Sequence, residues 1–537
     1  EWHHVFVTFD DAASGAKSLL YVDGVLTTAA SSANCTLTQN LVGGIDHNTN
    51  PLTFGTRAGS SLFFNGRLDD MRIYDRTLSA DEVERLYEMG ATTKIGKTLK
   101  SNTELDNSLV AHYSFDGPAK DEFDVLDVSG NGNDGVYVAT STQSEVLVDA
   151  SGFTFDAAYE SPSPRQVWTS DDNGYMIYLE PGDEIGYAST TDGGVTWSTM
   201  VADSQSDTLH PVIWYDRWTP GDSTGNLIHV SYLDFGEDDL WYFYIDTSDD
   251  SISTPVNITS GLSYTGTLDN DNTVSLTKAE DGTLYAGVAD ATDTIVASCA
   301  SSCDNGGNWS ERTSAFGGAN DFFHQVMMPV KGTDNIINIY FDQTDIDLVS
   351  QVYSATATAW QSEVIFVNNN SIFFEDSHGA ALNKSTGDIY FTTENDVNDY
   401  VTQDHDIHVW KYVPQTGTWS QLTNPVTNMS GGLMSSKIIV DQNQEGHLYV
   451  VYQRLTTISD STTGDIYYRY SIDDGVSWSS EYGPLNSTTQ EEIYGLGVNP
   501  VAEHQIRAFF KYAQSPNEDD IYNVLVQDIG EYVDDVT

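Results

Sequence analysis

A repeat limits this chain more than any other feature. Strand-like segments rich in β-branched and aromatic residues recur at 174–179, 226–232, 282–288, 335–341, 387–391, 446–452 and 505–510, with successive starts 52 to 59 residues apart. Each has an apolar strand before it and a strand pair after it, so each unit holds about four strands. A unit made only of strands cannot cover both faces of its own sheet, but units stacked around an axis cover one another. Seven units predict an all-β, seven-bladed β-propeller over 153–537, with six blades as the alternative. Such a ring has one core rather than several domains.

A second pattern runs in register with the first. The form Ser/Thr-x-Asp-x-Gly-x-x-Trp occurs at 190–197, 302–309 and 471–478. Its logic is local. Asp192, Asp304 and Asp473 accept hydrogen bonds from a turn backbone, Gly194, Gly306 and Gly475 take a positive φ, and Trp197, Trp309 and Trp478 pack between sheets. Trp360 and Trp419 mark degenerate copies. These motifs resemble the Asp-boxes of sialidase-like (BNR-repeat) propellers. The resemblance places them on outer hairpins away from the axis, so they argue for the fold and not for an activity.

Residues 1–90 have a different texture. Short alternating runs such as 5–9 and 19–24 carry a hairpin turn at Asp23-Gly24, and one helix is predicted near 79–89, capped by Ser79 with Glu82 three residues on. The ordered segments 2–5, 20–24, 64–74 and 76–83 resemble the C-terminal half of a laminin-G/concanavalin-A-like jelly roll. Residues 108–117 and 127–135 resemble the opening strands of the same family. A C-terminal half over 1–100 thus precedes an N-terminal half within 101–152. Three arrangements fit: a permuted jelly roll closed within one chain, halves completed by another protomer in a homo-oligomer, or a truncated domain followed by a vestigial one. Closure is favoured, because either half alone exposes strand edges and half a core. The chain opens on a strand, without Met or a leader, which reads as starting inside a domain.

In a propeller, the residues leading into each unit's first strand line the axial mouth. They include Arg165 in the first unit, His210 in the second, Asp271 in the third, Asp321 and His324 in the fourth, Asp376 and His378 in the fifth, and Ser435-Ser436-Lys437 in the sixth. Three histidines at matched positions, with Arg165 and the acids, would form a ring able to bind a glycan or a metal, or to supply a general base. The plainer alternative is that these histidines cap strand ends on backbone carbonyls. The sialidase resemblance implies three arginines holding a sugar carboxylate, and a Tyr nucleophile with Glu and Asp partners. Arg165 falls near the first arginine's place, but Arg217, Arg312, Arg454, Arg469 and Arg507 do not open inner strands, so that triad is incomplete. Propeller polysaccharide lyases, which use His, Tyr and Arg near the axis, match the histidine set about as well.

The chain carries 80 Asp+Glu against 22 Lys+Arg, a net charge of −58. Binding nucleic acid through phosphates needs clustered cations and is excluded on this ground. Acidity spread along every repeat suits a saline or calcium-containing exterior that screens self-repulsion. Asp269, Asp271, Asp342, Asp345 and Asp347 offer oxygen donors at loop spacings that suit calcium, with solvated surface as the alternative. Cys299 and Cys303 are spaced to close a small disulfide loop, and Cys35 has no partner in the chain. Seven Asn-x-Ser/Thr sequons allow secretion. No apolar run reaches the roughly 18 residues that a membrane-spanning helix needs.

The expectation is an extracellular, cell-surface or virion-surface protein that recognises glycans or cell-surface polysaccharide, as part of a larger adhesin, appendage or fibre. A carbohydrate-active enzyme, either a sialidase-like hydrolase or a propeller lyase, is the alternative. A structural subunit of a polymer joined through the split jelly roll is a third.

Overall fold

Each repeat unit folds into one small antiparallel sheet, and there are seven of them. In the computed structural model the described residues are 3–9, 18–27, 54, 68, 70–91, 108–113, 124–125, 127–133, 135–136, 145–150, 163–260, 262, 273–289, 294–312, 322–342, 347–368, 378–396, 405–429, 433–455, 464–486, 493–515 and 518–528. The chain divides into two compact units, Glu1–Ser141 and Thr142–Thr537.

In the larger unit the inner strands of blades 1 to 7 are Gln166–Trp168, Thr208–Tyr215, Val274–Lys278, Phe322–Pro329, Gly379–Leu382, Leu433–Asp441 and Ile493–Val498. The next strand in each case is the sequence repeat itself, from Gly174–Glu180 in blade 1 to Gln505–Ser515 in blade 7. Blades 1, 3 and 7 have four strands, the outer edges of blades 2, 4 and 5 are split into two short pieces, and blade 6 has three antiparallel strands with Val501–Ala502 of the next unit added parallel to its inner strand. The fourth strand of blade 7 is Val146–Asp149, taken from the start of the unit rather than its end. This moves the boundary expected at 152 back to 141. The cause is physical: the last blade otherwise has an open edge, and the nearest chain able to pair with it is the one that leads into blade 1.

Every seam of the ring carries a polar tie. Ile213 N–H donates to Pro164 O across blades 1 and 2, Met327 N–H to Ser275 Oγ across 3 and 4, and Lys331 Nζ to Lys384 O across 4 and 5. Lys437 Nζ donates to His378 O between blades 5 and 6, and Val440 N–H to Pro500 O between 6 and 7. Asn523 Nδ2 reaches Gln166 Oε1 at 3.2 Å and closes blade 7 on blade 1. Between the sheets lie fully buried side chains such as Trp214, Tyr232, Tyr340, Phe391 and Tyr452.

The smaller unit has a sheet of Val5–Phe9, Ser18–Val22 and Val25–Leu26, with Asp23 and Gly24 both at positive φ in the turn. Its helix, Ala80–Ala91, starts on the expected cap: Glu82 Oε2 accepts the Ser79 N–H at 2.8 Å and also pairs with Arg76. Those donors hold the Glu82 carboxyl down at about 2. Strand Met71–Tyr74 pairs with Leu109–Tyr113, so the two jelly-roll-like segments share a ladder within one chain. The 127–133 loop is pinned to that ladder, since Asp127 accepts the N–H groups of His112, Ser129 and Asn133.

Candidate functional site

The inner strands start with the same irregularity in four blades. Two residues on the inner strand oppose one on its neighbour: His210-Pro211 opposite Tyr232, His324-Gln325 opposite Tyr340, Ser435-Ser436 opposite Tyr452, and 495–496 opposite Phe510. Such bulges re-aim side chains and recur beside binding sites. At two of them a non-glycine residue takes a left-handed conformation, His210 at φ 52° and Ser435 at φ 59°. This is a sparsely populated state for such residues. The tyrosines beneath are fixed by carboxylates: Tyr340 donates to Glu363 and Tyr452 to Glu481, each at 2.7 Å, and Tyr232 donates to Asp203. Burial and these carboxylates push the Tyr232, Tyr340 and Tyr452 hydroxyls well above the ordinary phenol range, so they stay protonated donors.

Register sorts the predicted residues. His210 and His324 share the first bulge position, and the His324 side chain lies outside the described residues. His378 stands one residue later, directly before Gly379, which pairs with Thr392. The expected match of three histidines is therefore a match of two. Arg165 is matched instead with Lys437. Arg165 O, directly before the blade 1 inner strand, accepts from Ile177 N–H, and Lys437, directly after the blade 6 bulge, pairs with Val451; Ile177 and Val451 each stand one residue before the corresponding tyrosines Tyr178 and Tyr452, so the two positions coincide. Arg165 and Lys437 are 7% and 4% exposed; with Arg507 they are the only buried Lys or Arg among the described residues.

Blades 5 and 6 complete one side of the mouth. His378 is buried with its ring centroid 5.4 Å from Phe391, Lys437 Nζ lies 2.6 Å from the His378 carbonyl, and Glu394 Oε1 accepts the Ser436 N–H at 2.9 Å. Glu394 escaped sequence reasoning because it sits on a second strand and meets blade 6 only across the seam. Lys437 was visible as a leading residue, and its parity with Arg165 emerges only from the register. Asp269, Asp271, Asp321, Asp345 and Asp376 lie outside the described residues. Asp342 and Asp347 face each other across the blade 4 hairpin, and no group of three metal-ligating side chains occurs among the described residues.

The Asp-boxes lie at the other end of the blades. Asp192 accepts from the N–H and hydroxyl of Thr196, and Asp473 does the same from Ser477. Gly194 and Gly475 have φ 80° and 77°. The middle box departs from the pattern. Its turn N–H goes to Asn305 rather than Asp304, and Gly306 has no positive φ but sits where a Cβ would collide with the Asn257 carbonyl. Here the Cys299–Cys303 disulfide closes the loop instead. Arg507 also belongs to this end, with Nε on Gln505 and its guanidinium 4.6 Å from the Trp168 ring. The sequon asparagines Asn383 and Asn486 are buried, Asn383 accepting the Ser385 N–H within its turn and Asn486 the Ile466 N–H of the adjacent strand, so they are not acceptors in the folded chain.

Residues 1–84 match the family model for the concanavalin A-like lectin/glucanases superfamily. No curated protein matches the chain. Among solved structures, an ulvan-type polysaccharide lyase is similar at 9% identity, covering 71% of this chain and 96% of that one, with a TM-score of 0.48. An α-L-arabinofuranosidase from Fusarium graminearum is similar at 14% identity, covering 72% and 97%, with a TM-score of 0.39. A sialidase from Trypanosoma rangeli is similar at 11% identity, covering 71% and 58%, with a TM-score of 0.37. The seven sheets of the larger unit form a seven-bladed propeller, and the segment matched by that family model precedes it in the chain.

Proposed function

We propose that the propeller recognises a glycan bearing an anionic group at its axial mouth, outside the cell or at its surface. The carrying observation is the matched burial of Arg165 and Lys437 on the inner strands of blades 1 and 6, in a chain whose net charge is −58. Two cations held at matched inner-strand positions can give charge-assisted hydrogen bonds to a carboxylate or sulfate on a sugar. His210 on blade 2 and His378 on blade 5 flank the two cations. The match of residues 1–84 to a family described by lectins and glucanases supports a carbohydrate ligand.

Arg165→Ala and Lys437→Ala each remove a charge-assisted contact of about 1.5–3 kcal/mol, so retention on acidic glycans in an array should fall about 10- to 100-fold with the melting temperature recorded alongside. Unchanged retention in both folded variants sinks the reading. A second reading, turnover of the bound glycan, is favoured by Glu394, a buried carboxyl beside His378 and Lys437 that could serve as acid or base. It requires release of reducing ends or unsaturated products from acidic polysaccharides by the wild type and their loss in Glu394→Gln.

A further inference from the structure

Among the described residues, a dense ionisable cluster outside the mouth lies at the opposite end of the seam between blades 2 and 3. Asp216 follows the inner strand of blade 2 and is buried. Its Oδ1 meets both His229 Nε2 at 3.0 Å and Lys278 Nζ at 2.5 Å, while its Oδ2 accepts the Leu227 N–H. Lys278 ends the inner strand of blade 3 and also donates to Asp222 at 2.9 Å. His229 Nδ1 lies 2.7 Å from the Tyr242 hydroxyl. Thr219 accepts from Trp214 Nε1 and passes its own proton to the Lys278 carbonyl, which continues the tie across the seam.

One arrangement of protons satisfies every contact. Lys278 donates to both aspartates, neutral His229 donates from Nε2 to Asp216, and Tyr242 donates to Nδ1. A proton added at Nδ1 turns the Tyr242 oxygen into an acceptor and leaves its hydrogen pointing into a buried site packed by Trp309. It also puts a second cation on the same Asp216 oxygen that holds Lys278. The groups facing His229 are Asp216, Asp222 and Tyr242 of blade 2, and Lys278 of blade 3. Beyond Tyr242 lie Tyr244 and Asp304, and Arg217 is held on the Gly225 carbonyl.

We propose that this cluster is an acid-sensitive latch: protonation of His229 displaces Lys278 from Asp216 and loosens the seam between blades 2 and 3 while the other blades stay closed. Burial and the neighbouring Lys278 hold the imidazole below its ordinary range, and Tyr242 is kept protonated. The folded pKa lies below the open-state value near 6.5, so opening takes up a proton, and the opening constant rises as pH falls below about 6.5, by at most about tenfold per pH unit.

Hydrogen exchange of the full chain between pH 7.5 and 5, corrected for intrinsic rates, reads this directly. Peptides over 227–246 and 274–288 should gain opening as the pH falls, while those over 336–342, which carry no histidine, should not. His229→Gln keeps a donor to Asp216 but cannot titrate, and should flatten the slope. Lys278→Met removes the competing cation, and should open the seam already at pH 7.5 with a shallower slope. Equal slopes in wild type and His229→Gln overturn the latch, as does a wild-type slope retained in Lys278→Met or a rise shared by all blades.

Discussion

Gly475 and Gly332 show how differently two left-handed glycines are constrained. Both have positive φ, 77° and 76°, but a Cβ on Gly475 would press into Leu422, while one on Gly332 meets nothing within 4 Å. The backbone term is common to both, about 1–2 kcal/mol for an L-residue in this region. Gly475→Ala should therefore lose clearly more stability than Gly332→Ala in urea unfolding, and equal losses would mean that Leu422 yields freely. Asp441 is a second residue whose surroundings matter more than its type. It is buried at the end of the blade 6 inner strand, one oxygen accepts the Asn443 N–H, and the other has no hydrogen-bond partner. Burial pushes its carboxyl up to about 6. An acid raised in the folded state contributes most below its unfolded value, and that contribution is lost as pH rises through about 6. Between pH 4 and 7 the wild type should lose about 2–3 kcal/mol relative to Asp441→Asn. Parallel unfolding curves for the two proteins across that range would show that Asp441 is ionised throughout.

At the level of the element, the Asp-boxes were legible because their chemistry is local. In the first and third boxes the donor, acceptor and glycine fall within eight consecutive residues, and both turns close as the residue types require. The middle box shows the limit. Asn305 and a disulfide do the work assigned to Asp304, because Gly306 is placed by the approach of the Asn257 carbonyl from blade 2. The tryptophans of the two degenerate copies and of the third box share a tertiary role. Trp360 Nε1 donates to Arg312 O, Trp419 Nε1 to Ser350 Oγ and Trp478 Nε1 to Thr423 O, each reaching back to the preceding blade. The inner-strand bulges were not legible. Nothing in His210-Pro211 or Ser435-Ser436 alone marks two residues opposite one, and a shift of one residue decides whether His378 matches His210 or whether Lys437 matches Arg165.

The whole ring depends on its closure. Blade 7 takes its outer strand from Val146–Asp149, Asp149 accepts the Tyr178 hydroxyl at 2.6 Å, and Val148 is buried. A chain beginning at Thr142 should keep the propeller's stability, whereas one beginning at Ala150 should lose about 3 kcal/mol or more, the sum of one buried side chain and the hydrogen bond. Chemical denaturation of the two chains checks this, and equal midpoints would show that the closing strand is dispensable. The sequence alone determined the repeat, the strand-only content of the repeat units and the turn motifs, because each follows from period and local chemistry, and the seven sheets settled the blade count between seven and six. Tertiary structure decided the closing strand, the seams and the pairing of Arg165 with Lys437. Those contacts join residues such as Gln166 and Asn523, far apart in the chain, and their partners exist only once the blades are stacked.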